Sequence, residues 1–583
     1  LDVSITRNFR ISLKTTHFNS EFPSIIGQVV GRVWNPDKKI WEIPISSVSD
    51  LCQSLKEGNI WNDNDIEKIK ELVGQIIDHT KTDISEVTKN IILPLRPYQL
   101  DTVKFFKNRG SALGALDMAL GKTAISIAYL YDLLTNKKVT KGLLVVPVSA
   151  IWHWYREIKH FFGDKIRVCV IGFEIDEDGN IKKVNREKRL EQLKSKEYDA
   201  YIINYEKLID IVNNPDIFEH WNNTHKFIVI ADEVTRVKSW SAQRTKAIKQ
   251  IPATYRIGLS GRPIENNINE FYTILDWIWP RCLGSWTKFE KRFTITNRYG
   301  KIVSVKEKET IKDIARYIAI QYSRYEVLKY LPPINRNQYD VELSPEEEME
   351  YKKIARKIND EIETLKYADN RHGIINVLAL LQVSRMFSDH PVLVKNSKSD
   401  TAMSLKITTG KSAKMDEFRI ILDEILKLNE KIVVFSQYRK MIDLLEADIN
   451  VKYPMVKVYK YVGGGGSLQR QRIIDNFTSD QNPAVFLCTE AGAYAIELQC
   501  ASYIINYDLP WNPAVLEQRI SRLHRPGQKK SVTVINLVVN GPNKVESRIL
   551  EILSEKDKLY KDIMGVDNES YDKLNNESEN LVE

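Results

Sequence analysis

Apolar residues along this chain fall into two regimes. From about residue 91, short apolar runs alternate with helix-periodic segments. KGLLVVPV, YDAYIINY, KFIVIADE and YRIGLSG are rich in β-branched or aromatic residues, and each ends in polar or small ones. Near-continuous apolar runs spaced by amphipathic helices predict parallel strands buried on both faces and joined by crossover helices. From about residue 411 the alternation returns in KIVVFSQ, PAVFLCTE, ASYIINYD and SVTVINLVV. Residues 285–410 between them are mostly charged helical sequence, including PEEEMEYKKIARKINDEIETL. The predicted class is α/β: two parallel-sheet lobes with a helical insertion.

The start of the chain has another pattern. GQVVGRVW, NPDK and KIWEIPI read as strand, turn and strand, with Asn35-Pro36-Asp37 in the turn and Trp34 and Trp41 anchoring one face. This predicts a small β-rich domain over 1–55 and a charged helical connector over 56–90. The lobes then occupy 91–284 and 411–565, around the insertion at 285–410. An acidic, Asn-rich tail over 566–583 reads as disordered.

Composition narrows the partners only a little. At 583 residues, the chain is too long for a single core. With 43% hydrophobic and 28% charged residues it fits the soluble globular class. Lysine and arginine exceed aspartate and glutamate by 85 − 77, a net charge of +8. That excess fits a polyanionic partner and equally an ordinary soluble surface. The five cysteines, at 52, 169, 282, 488 and 500, have no metal-ligand spacing, and an odd number argues against a disulfide framework. LDVSITRNFR lacks the pattern of a secretory leader, and the longest apolar runs are of strand length, far short of the ~20 residues of a membrane span. The expected setting is intracellular, without membrane partners: cytoplasm or nucleoid in a prokaryote or virus, nucleus in a eukaryote.

The first candidate chemistry is GALDMALGKTA. Gly121-Lys122-Thr123 opens the helix-periodic segment GKTAISIAYLYDLL, and a helix N-terminus offers free N–H groups and a positive dipole end to an anion. Lys122 would neutralise the β and γ phosphates of ATP, and Thr123 would ligate Mg2+. The P-loop pattern wants a glycine where this chain has Leu116. Further on, FIVIADEVT delivers Asp232-Glu233 at the end of a buried strand. A P-loop ATPase needs one acid to hold Mg2+ and one to orient or deprotonate the attacking water.

Motif by motif over residues 91–555, the chain resembles the Swi/Snf-type DNA translocases of helicase superfamily two, whose lobes are RecA-like. LRPYQLDTVKFF resembles the family's adenine-reading segment, with Tyr98 and Gln99 at the matching positions. DMALGKT stands for DEMGLGKT, so the missing P-loop glycine is a family habit and the departure is Ala119 in place of glycine. LLVVPVSAIWHWYREIKHF, IINYEKL, ADEVTRVKSW, GLSGRPIENNINEF and VSRMFSDHP resemble the following motifs, with Thr235 in place of the usual histidine and Arg262 in place of threonine. By this resemblance Pro147, Ser149 and Lys238 contact nucleic acid.

In the second lobe EQRISRLHRPGQ resembles QAIGRAHRIGQ. The resemblance makes Arg522 and Arg525, expected on one face of a helix, the arginines that stabilise charge on the transferring phosphoryl group, and places Gln518 on the nucleotide side. GGGGSLQRQRIIDNF adds Arg470 as a nucleic-acid contact, and its four glycines read as a flexible loop. TEAGAYAIELQCASYIINYD adds Thr489, with Ala493, Ala495 and Glu497 departing from the family pattern. The N-terminal VVGRVWNPDKKIWEIPISSVSDLCQSL resembles the HARP module of annealing helicases, which implies recognition of branched or forked DNA.

These resemblances imply an ATP- and Mg2+-dependent, DNA-stimulated motor in which each lobe holds the DNA backbone in turn. The partner is double-stranded or branched DNA, and protein partners are not indicated. Two other readings stay open: a strand-separating DNA or RNA helicase, and an ATPase-fold scaffold that binds DNA or a protein and hydrolyses weakly.

Overall fold

In the computed structural model the described residues are 2–5, 10–15, 20–175, 181–297, 302–367, 371–463, 467–490 and 496–564. They divide into two units, one over 2–327 with 559–564 and the other over 328–558.

In the first unit, the predicted runs become the strands Lys141–Val146, Ala200–Asn204, Phe227–Asp232 and Ala253–Ser260. With Ala112–Leu116, Val168–Val170 and Ala319–Tyr322 they form a seven-stranded sheet. From edge to edge the order is 319–322, 112–116, 253–260, 227–232, 141–146, 200–204 and 168–170. Every pairing in it is parallel. All the carboxyl ends therefore share one edge, where ligands of open parallel sheets bind. The register sets Asp232 beside Leu259, and Ser260 beside Ala115. The strand ending in Ser260 thus lies between the strand that leads to Gly121 and the strand that ends in Asp232.

The N-terminal segment forms an antiparallel sheet of Asp2–Ile5, Arg10–Lys14, Ile40–Pro44 and Val33–Asn35, in that order. Trp34 pairs with Trp41 across the hairpin, with ring centroids 5.1 Å apart. Ile11, Leu13 and Ile43 pack against Leu51 and Leu55 of the helix Val48–Glu57.

The second unit repeats the architecture with six strands, in the order 334–341, 532–539, 503–506, 432–435, 484–488 and 457–461, again all parallel. Its core joins Ile432, Val434, Val485, Leu487, Ile505 and Leu537 to the helices Ala413–Lys427 and Arg439–Lys452.

Residues 285–410, read as mostly helical, also carry strands. Ala319–Tyr322 edges the first sheet and Ile334–Val341 edges the second. Neither run stands out in the sequence. AIQY follows the helix Lys308–Ile318 without a turn residue, and INRNQYDV is largely polar because an edge strand has a partner on one side only. The tail over 566–583, the glycines 464–466 and the positions Ala493 and Ala495 lie outside the described residues.

Candidate functional site

The strand Ala112–Leu116 is fully buried and runs into the loop that precedes the helix Lys122–Thr135. Gly121 caps that helix at φ 76° and brings no side-chain cap, so the amides of the first turn stay available to an anion. A Cβ at Gly121 would push against the Gln99 side-chain amide, and its positive φ adds strain for any other residue. Ala119, with φ 65°, is in the left-handed region that glycine enters freely and L-alanine enters at a cost of about 1–2 kcal/mol. Lys122 Nζ donates to the carbonyls of Leu116 (3.1 Å) and Asp117 (3.5 Å), and Thr123 is buried behind it.

Tyr98 and Gln99 rise from the helix Pro97–Arg109 to this loop. The Tyr98 hydroxyl and Gln99 Nε2 both donate to the Leu120 carbonyl, at 3.2 and 3.1 Å, while Gln99 Oε1 accepts from the Arg96 amide at 2.8 Å. The two residues expected at the adenine thus hold the loop before Lys122 in shape.

Asp232 ends its strand with each carboxylate oxygen engaged. Oδ2 accepts from the Trp154 indole N–H at 2.9 Å, and Oδ1 accepts from the Glu233 amide at 3.1 Å. The Asp232 carbonyl accepts from the Tyr205 hydroxyl at 2.7 Å. Glu233 itself turns at φ 50°, which swings its side chain off the strand direction. Burial, together with the nearby Asp232 and Glu233, pushes the Tyr205 hydroxyl well above its ordinary range, so it stays protonated and donates. The sequence marked Trp154 by its motif position but gave it no role, and Tyr205 was not singled out. The available signal was chemical: a buried indole or phenol needs an acceptor.

Next along the edge, the Arg262 amide donates to Ser260 Oγ at 3.1 Å, and the guanidinium lies 4.5 Å from the centroid of the Tyr560 ring. Pro147 is buried at the end of its strand, and Ser149 is exposed in the short turn Val148–Ala150. Lys238 is engaged: its ammonium pairs with Glu265 and, at 3.1 Å, with Glu270. Burial alone would lower its pKa, but the two carboxylates outweigh it and hold the pKa above its ordinary value. Thr235 is buried beside it and accepts from the Lys238 amide at 3.3 Å.

In the second unit the helix Pro513–Ile520 stops before both expected arginines. Arg522 and Arg525 lie in successive tight turns, not on a helix face. Bonds from Arg522 N to Arg519 O and from Arg525 N to Leu523 O wind the chain off the helix ahead of Pro526-Gly527, which cannot continue it. Arg525 pairs with Glu497 at 2.6 Å, so this acid meets a cation of its own unit. Gln518 is half-buried on the helix, and Thr489 is buried with its amide on the Tyr461 carbonyl at 3.3 Å. The side chain of Arg470 lies outside the described residues. The sequence reading missed Arg519, which is buried against the Asn506 side chain (3.0 Å), the Asp508 carbonyl (2.8 Å) and Glu490.

The SNF2-related domain matches residues 98–393, just over half of the chain, and the helicase conserved C-terminal domain matches residues 416–527. The chain belongs to the SNF2-related family. Among curated relatives of this SNF2-related chain, the SWI/SNF-related matrix-associated actin-dependent regulator of chromatin subfamily A member 1 of Mus musculus is 27% identical over 471 residues, covering 79% of this chain and 42% of the relative. The DNA repair and recombination protein RDH54 of Saccharomyces cerevisiae is 28% identical over 489 residues, covering 77% and 49%. An uncharacterized ATP-dependent helicase of Mycoplasma pneumoniae is 26% identical over 534 residues, covering 90% and 47%. The chain thus spans about half, or less, of the length of these relatives. Proteins of the SNF2-related family use ATP, typically with Mg2+, and no described helix here is long and apolar enough to cross a membrane.

Proposed function

We propose that this SNF2-related chain is the ATP-hydrolysing motor of a double-stranded-DNA translocase. The observation that carries this reading is the order along the first sheet's carboxyl edge. An uncapped helix N-terminus bearing Lys122 and Thr123, the Ser260-Gly261-Arg262 turn, and the Asp232-Glu233 pair follow one another on adjacent parallel strands. Lys122 binds the phosphates, and Tyr98, Gln99 and Gln518 complete the nucleotide site. Glu233 orients or deprotonates the attacking water. Arg522 and Arg525 are assigned the stabilisation of charge on the phosphoryl group.

The residues present fit Mg2+, a hard cation that takes one or two protein oxygens and leaves the rest of its shell to phosphates and water. Thr123 supplies a hydroxyl. Each Asp232 oxygen receives one N–H donor, which leaves lone pairs for the ion. Bound there, Mg2+ would neutralise charge building on the phosphate oxygens.

DNA contact is assigned to Pro147, Ser149, Lys238, Arg470 and Thr489. Exposed Ser149 supports this best, whereas Lys238 must loosen its hold on Glu265 and Glu270. The N-terminal sheet, with Trp34 exposed beside Trp41, is proposed to direct the motor to branched or forked DNA, for fork remodelling or strand annealing. Stimulation by forks above that by blunt duplex tests that assignment.

Duplex DNA is expected to stimulate ATP hydrolysis without displacing an annealed oligonucleotide. Lys122→Ala and Glu233→Gln are each expected to abolish hydrolysis. Full activity in both variants sinks the site. A wild type inactive with every DNA structure sinks the enzyme and leaves the scaffold. Efficient strand displacement makes the chain a strand-separating helicase.

A further inference from the structure

Asp232 is fixed at both its carboxylate and its carbonyl, by two residues from different elements. Trp154, on the helix Ile151–Phe162, has no exposed surface, and its only polar atom points at Asp232 Oδ2 from 2.9 Å. Tyr205, at the start of the helix Tyr205–Val212, is equally buried, and its hydroxyl reaches the Asp232 carbonyl at 2.7 Å. That carbonyl belongs to the peptide joining Asp232 to Glu233. Holding it fixes the peptide plane from which Glu233 departs at φ 50°, a conformation that costs a Cβ-bearing residue about 1–2 kcal/mol and so needs support.

We propose that Trp154 and Tyr205 are positioning residues for the acid pair, with separable tasks: Trp154 aims the Asp232 carboxylate for the divalent cation, and Tyr205 holds the peptide that aims Glu233 for water. The proposal rests on the assignment of Asp232 to Mg2+ and Glu233 to water made above. The physical reason is the cost of rotation. A carboxylate with one oxygen tied to an indole N–H and the other to the next amide has one orientation, so the ion finds its ligand already set. Aromatic bulk alone would fill the same space without setting that angle. The donor, not the ring, is therefore the functional part of Trp154.

Two substitutions delete the donor. Trp154→Phe keeps a ring, and benzothienylalanine at position 154 keeps the full bicyclic shape, which guards against a failure of Trp154→Phe to fold. The readout is Mn2+ binding in the presence of ADP, followed by electron paramagnetic resonance, alongside metal-free ADP binding and thermal melting. Both variants are expected to weaken Mn2+ binding about tenfold or more, as loss of an outer-shell partner does, with metal-free ADP affinity unchanged. Tyr205→Phe is expected to lower kcat about tenfold at saturating ATP and Mg2+, as a small misplacement of a reacting group does, with Mn2+ affinity kept within about twofold. Wild-type Mn2+ affinity in a folded variant at position 154 overturns the Trp154 assignment while leaving the ATP site intact. Wild-type kcat in Tyr205→Phe overturns the Tyr205 assignment in the same way. A wild type without ADP-dependent Mn2+ binding removes the site on which both depend.

Discussion

Ala119 shows how one methyl group sets a cost. Its φ of 65° is the conformation that the resemblance leads one to expect of a glycine, and the alanine adopts it nonetheless. Replacing it trades about 1–2 kcal/mol of left-handed strain against about 0.4–1 kcal/mol of extra chain entropy in the unfolded state. Ala119→Gly is therefore expected to raise the unfolding free energy by up to about 1.6 kcal/mol, measured by urea denaturation. A clear loss of stability would mean that the alanine methyl has packing partners worth more than the strain. At Gly121, two residues on, a Cβ would meet the same strain and would also have to displace the Gln99 amide from the Leu120 carbonyl. The sequence showed both positions as departures or matches; only the dihedral angles say which one is strained.

Among the elements, the helix beginning at Ala413 is tied into its unit by a buried charge. Lys414 has no exposure and pairs with Glu546 at 2.6 Å and Asp389 at 3.2 Å, both equally buried. Glu546 also accepts from the Val539 amide at 2.6 Å, and the Asp389 carbonyl accepts from the Tyr507 hydroxyl at 3.0 Å. Burial pushes the Asp389 carboxyl well above the usual carboxylate range, with Lys414 opposing. Removing the cation leaves two acids in a dry site, so Lys414→Met is expected to cost about 3–5 kcal/mol of stability. Chemical denaturation checks it, and a loss under about 1 kcal/mol would mean that water reaches the cluster. Nothing in SAKMDEF marks Lys414 as buried, since its two acids lie far off in the chain. The arginine turns teach the same at another element: RISRLHR has helical spacing, yet the Pro526-Gly527 that follows ends the helix early, and the guanidinium directions follow the turns.

For the whole molecule, the net charge of +8 is modest, and the proposed DNA grip resides in a few side chains and backbone amides. Affinity for duplex DNA is expected to be indifferent to sequence and to fall with salt, with a log–log slope of about −0.9 per phosphate neutralised. Fluorescence anisotropy on two unrelated duplexes across a salt series checks it. A flat salt response, or a strong preference for one duplex, would argue against a backbone-tracking motor.

The sequence by itself determined the fold class and most of the central strands, and it named the residues of the candidate nucleotide site. Apolar runs of strand length, helical periods and motif spacing are local properties, and a buried parallel strand writes itself in consecutive residues. Edge strands such as Ala319–Tyr322 and Ile334–Val341 were not legible, because half of their surroundings is something other than a neighbouring strand. Tertiary structure alone decided what each site residue touches. Gln99 and Tyr98 hold a loop carbonyl, Trp154 and Tyr205 fix Asp232, Lys238 serves two glutamates, and Arg525 faces Glu497. The physical reason is range. Spacing along a chain reports neighbours a few residues away, whereas a hydrogen bond joins whichever donor and acceptor the packed sheets bring within about 3 Å.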